Sequence, residues 1–76
     1  MDPNDAMRER LAREDEGYRR LMQKHREYDL RLEELRALRF PTDEQKVEEV
    51  RLKKLKLAVK DQMEAMVRER RRESGT

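Results

Sequence analysis

The sequence has no cysteine, and that excludes both a disulfide framework and thiolate chemistry. No phosphate-cradling loop motif appears, and with only two glycines and two prolines there are long stretches in which nothing interrupts a helix. No apolar run approaches the ~20 residues that span a bilayer. The segment Met1-Asp2-Pro3-Asn4-Asp5 has no basic region followed by an apolar one, so neither membrane insertion nor secretion is expected and the expected location is the cytoplasm. A strong excess of one charge sign is also absent: half of the 76 residues are charged, yet the net charge is only +2. Chains that stay disordered combine low hydrophobicity with high net charge. Here the abundant residues are Leu, Arg, Glu, Lys and Met, all strong helix formers, which points to long helices with a small core.

The chain is organised about Phe40-Pro41-Thr42-Asp43-Glu44-Gln45. Pro41 lacks an N–H and pushes Phe40 out of the α region, so a helix arriving through Leu38 and Arg39 should stop there. Thr42 with Gln45 fits a capping box that starts a second helix, and Asp43 and Glu44 suit its positive end. The expectation is one domain over 1–76. Its first helix covers about 3–39, its turn 40–42 and its second helix about 43–72, followed by a frayed tail over 73–76.

Asp2 before Pro3 is a plausible start for the first helix. Met7, Leu11, Tyr18, Leu21, His25, Tyr28, Leu32 and Leu35 recur in steps of three and four, a heptad seam with one step of seven at Glu14. Gly17 lies beside that gap and costs ~1 kcal/mol relative to Ala in a helix interior, so fraying or a kink is expected before Tyr18. The second helix carries Leu52, Leu55, Val59, Met63 and Met66, with Gln62 alongside. It fades into an arginine-rich run and Ser74-Gly75-Thr76.

Folding the two seams antiparallel about the turn makes a register prediction. On one edge Arg36 should face Glu49, Asp29 should face Lys56, Met22 should face Met63 and Asp15 should face Arg70. On the other edge Gly17 faces Ala65, Lys24 faces Ala58, and Arg31 meets Arg51, a like-charge contact. Leu30, Val47, Val50 and Leu57 fall off this seam. A lone hairpin of this composition has marginal stability, so those four residues are the candidate face for self-association into a homo-oligomeric helical bundle.

The segment from His25 to Glu33, then Pro41 to Glu44, then Lys53 to Met66 resembles the YdcH-like family of small bacterial proteins, over roughly Tyr18 to Val67. His25, Tyr28 and Asp29 match the family's first-helix pattern, and Lys56, Leu57, Val59, Lys60 and Asp61 match its second. The resemblance implies an all-α helical hairpin that oligomerises, without an established activity.

The chemistry-bearing side chains are sparse. His25 and Asp29 stand four apart, but one His and one carboxylate do not make a metal site. His25 therefore reads as a polar seam residue or a partner of Asp29, and Tyr18 and Tyr28 read as core. With no nucleophile motif or carboxylate pair, no catalytic residue, cofactor, metal or small-molecule substrate is expected. The leading expectation is a non-enzymatic interaction protein that self-associates and binds a protein partner. The alternative is a nucleic-acid- or ribosome-associated factor. Lys53, Lys56 and Lys60 lie on one side of the second helix, no acid occurs between Val50 and Asp61, and Arg70, Arg71 and Arg72 would fold back towards Arg8, Arg10 and Arg13.

Overall fold

A computed structural model describes residues 3–73. The proposed Asp2 cap and the Ser74-Gly75-Thr76 tail lie outside the described residues. The fold is all-α: α1 is Pro3–Glu14, α2 is Glu16–Arg36 and α3 is Asp43–Glu73. α2 packs antiparallel on α3, and α1 contacts both, giving a rod of 52 × 22 × 17 Å.

The helix expected over 3–39 is two helices joined at a single residue. Asp15 has φ −116° and ψ 115°, an extended conformation, and its Oδ1 accepts from the Tyr18 N–H at 2.9 Å, which makes it the N-cap of α2. Its own N–H still donates to Leu11 O at 2.8 Å, so it also closes α1. The exposed ends of the α1 backbone are then satisfied from across the joint. Arg19 Nη1 donates to Arg13 O at 2.9 Å and to Ala12 O at 3.3 Å, two carbonyls that a helix C-terminus leaves without partners. The expected weakness before Tyr18 is thus an ordered kink. Gly17 follows the cap rather than sitting in mid-helix.

At the other end α2 stops at Arg36, earlier than Phe40. Ala37 N donates to Glu33 O at 3.1 Å and Leu38 N to Leu35 O at 3.2 Å, after which the chain leaves the helix. Residues 38–42 cross to α3 outside any helix, with bends at Arg39 and Phe40. Thr42 and Gln45 form the capping box. The Thr42 N–H donates to Gln45 Oε1 at 2.8 Å, and the Gln45 N–H donates to Thr42 Oγ1 at 3.1 Å.

The core is two small clusters with a polar middle. Leu32, Leu35 and Leu52 with Tyr28 fill the turn end, and Leu11, Tyr18 and Val67 with Met7, Ala12, Met63 and Met66 fill the end where the kink lies. Val59 is buried between them, level with His25 and the Asp29–Lys56 pair. On α3 the inward stripe is Leu52, Lys56, Val59 and Met63, then Met66 with Val67, so the helix turns the side of Lys56 and Met63 inward rather than that of Leu55 and Gln62. Leu55, expected on the seam, is therefore 41% exposed, and Val67, not expected there, is buried.

Candidate functional site

The antiparallel register carries the charged side chains into place. Arg36 Nε lies 3.5 Å from Glu49 Oε1, Lys56 Nζ bonds Asp29, and Arg70 Nη2 lies 3.9 Å from Asp15 Oδ2, so the three expected opposite-charge contacts on that edge are present. Of the expected Met22–Met63 pair, Met63 packs into the Leu11–Tyr18–Val67 cluster, whereas Met22 stays substantially exposed. On the opposite edge the predicted repulsion between Arg31 and Arg51 does not form. Arg31 instead takes Glu48 in a two-pronged bond, Nε to Oε2 at 2.8 Å and Nη2 to Oε1 at 2.9 Å, and its Nη1 reaches Glu34 at 3.0 Å. Glu48 is one turn from the residue that the heptad alignment placed opposite Arg31, and the fork geometry of a guanidinium selects it.

These pairs shift the titration of their members. The Lys56 ammonium bonded to Asp29 holds that carboxyl below its ordinary range, helped by His25 and Arg36, and Arg31 does the same for Glu48. Arg31 is in turn pushed up by its bonds to Glu48 and Glu34. Burial raises the Tyr18 phenol, with nearby Arg8 opposing it. His25 Nδ1 stands 3.8 Å from Asp29 Oδ2, so it does partner that carboxylate. Among the described residues no group of three or more His, Cys, Asp or Glu is placed to hold a metal ion. No helix of the structure is long and apolar enough to cross a membrane.

The six candidate nucleic-acid contacts are not equivalent. Lys56 is turned inward onto Asp29, Arg70 towards Asp15, and Arg71 Nη1 donates to Asn4 Oδ1 at 2.8 Å. Lys53 makes only an exposed bridge to Glu49 at 3.4 Å, one turn away on the same helix. Lys60 and Arg72 are exposed and have no bonded partner among the described residues. The fold does bring Arg68 and Arg71 into one groove with Arg8, but Glu64 lines it too.

The four off-seam apolar residues are each more than half exposed, and the fold divides them. Val47, Val50 and Leu57 lie about half a turn round α3 from the buried Leu52 and Val59, on its outer face. Leu30 lies equally far round α2 from Leu32, on the opposite side of the hairpin. They do not form one patch. The α3 face has an apolar floor at Val47 and Val50 bordered by Lys46, Arg51 and Lys54, a feature legible in the sequence only once the inward stripe is known. Sequence reasoning placed Phe40 in the turn but gave its side chain no role. Phe40, the chain's single phenylalanine, is 87% exposed there, with the Arg39 guanidinium 6.0 Å from its ring centroid.

The family described as "Protein of unknown function (DUF465)" matches residues 19–67, from just after the kink to the buried Val67. No curated protein and no solved structure matches the chain.

Proposed function

The chain belongs to the DUF465 family of small helical proteins, and from that premise we propose that it is a non-enzymatic interaction protein, a charged helical hairpin that self-associates and binds a protein partner. The resemblance to YdcH-like proteins covers the same stretch and agrees with this reading. The observation that carries it is the contrast between the two sides of α3. The inner side is occupied by Leu52, Val59, Val67 and the Asp29–Lys56 pair, whereas Val47, Val50 and Leu57 stand in solvent, Val47 and Val50 bordered by charged side chains of both signs. Apolar side chains aligned on one helix face and rimmed by charge are the usual make-up of a binding surface.

Analytical ultracentrifugation at micromolar concentration tests the self-association. The chain should sediment above its monomer mass, and Leu57→Glu should lower that mass while the far-ultraviolet helix signal is kept. A well-folded monomer at that concentration refutes it.

A second reading, nucleic-acid or ribosome contact, is favoured by one observation: Lys53, Lys54 and Lys60 are exposed on a stretch of α3 without acids. Several phosphate contacts would give binding that falls steeply with salt. Failure to bind RNA or DNA at about 50 mM salt removes this reading.

A further inference from the structure

The outer faces of α2 and α3 differ in charge, and their residues stand at matching heights. The pairs Arg36–Glu49, Asp29–Lys56 and Arg31–Glu48 fix which levels of the two helices coincide. On that scale Leu30 is level with Lys53 and Lys54, midway between Val50 and Leu57. The surroundings of Leu30 on α2 are mainly acidic, with Glu27, Glu33 and Glu34. The surroundings of Val50 and Leu57 on α3 are basic, with Lys46, Arg51, Lys53 and Lys54.

We infer that the partner covering the outer face of α3 is a second copy of this chain, laid alongside so that its α2 presents Leu30 to the gap between Val50 and Leu57. With no shift along the rod, Glu27 of the second copy comes within about one helical turn of Lys54, Glu34 within a turn of Arg51, and Arg26 within a turn of Asp61. All three contacts join opposite charges. The symmetric alternative, α3 against α3, gathers Lys53 and Lys54 of both copies at the centre of the contact whichever way the two helices run, and like charges brought together oppose association. The side-by-side contact joins two different surfaces, so each added copy leaves one acidic and one basic face free. Such contacts grow into rows or close into rings. This inference rests on the self-association proposed above and adds its geometry.

Two half-blocked variants test it. Leu30→Glu spoils the α2 face and leaves the α3 face intact, and Leu57→Glu does the reverse. Sedimentation of the full chain should give masses beyond a dimer that rise with concentration. Each variant alone should fall to the monomer mass with unchanged helix content, and an equimolar mixture should recover a dimer and go no further, since both outer ends of that pair are blocked. If Leu57→Glu dissociates the assembly but Leu30→Glu leaves it at full mass, α3 packs on α3 and the inference is wrong. If neither variant alters the mass, another face is used and it is wrong again. A monomeric full chain would instead remove the self-association on which it rests.

Discussion

Replacing Asp15 separates the two jobs its carboxylate performs. Oδ1 caps α2 through the Tyr18 N–H, and Oδ2 stands 3.9 Å from Arg70, the two side chains each being about one-third exposed. Loss of an N-cap costs typically ~1 kcal/mol. A partly exposed pair at that distance contributes no more than ~0.5 kcal/mol. Asp15→Asn keeps an oxygen for the cap and loses only the ion pair, so it should lower the melting temperature by under about 4 °C. Asp15→Ala loses both, ~1 to 1.5 kcal/mol, which in a chain of this size is roughly 5 to 10 °C. Circular dichroism melts and urea titrations read the stability, and hydrogen exchange at the Tyr18 amide reads the cap. The reasoning has a definite opponent, because Ala is the best helix former. If Asp15→Ala gains helix signal with no loss of stability, α1 and α2 have merged into one helix and the kink was held by nothing stronger than the Asp side chain's preference.

Leu32→Ala empties a site that is 1% exposed in the turn-end cluster and should cost ~2 to 5 kcal/mol, a large part of the stability of a small domain; a loss under ~1 kcal/mol by urea titration would mean that Leu35 and Leu52 collapse into the space. Acid should destabilise the hairpin through Asp29 and Glu48, whose folded-state values are lowered by Lys56 and Arg31. Their contribution is complete above the unfolded carboxyl values near about 4 and is lost as pH falls through the lowered folded ones. The melting temperature should drop below about pH 4, and Lys56→Met should make that drop shallower; an identical pH profile for the variant would assign the acid sensitivity to other carboxylates.

The turn and the start of α3 were legible because Pro41, Thr42 and Gln45 act locally, through φ restriction and side-chain bonds three residues long. The opposite-charge edge was legible for a related reason: an antiparallel register is fixed once the turn is placed, and Asp29–Lys56 follows from counting. What sequence could not reveal was the phase of each helix. The heptad paired Leu52 and Val59 with Leu55 and Gln62, but α3 is rotated so that Lys56 and Met63 turn inward instead, and Leu55 is left 41% exposed. The missing apolar step and Gly17 announced a kink before Tyr18, but not that Asp15 would cap a separate helix there. The signals of that cap were an Asp followed by Glu16 and Gly17, and they competed with a helical period that continues across them. Division of Leu30 from Val47, Val50 and Leu57 depends on the same phase information.

Both ends of the described chain lie together, since Arg71 donates to Asn4 across a separation of 67 residues, while Arg36 and Glu49 meet next to the turn. Closing a short loop costs less entropy than closing a long one, so the hairpin is expected to zip outward from Thr42, with the Asn4–Arg71 contact forming last. Force has the same geometry in reverse. A pull applied to the two ends peels one layer at a time, first Asn4 from Arg71, then the Leu11–Tyr18–Val67 cluster, and last the ion pairs by the turn. It never loads the whole interface in shear. A rod stiff along its length is, pulled from its paired ends, a mechanically soft one.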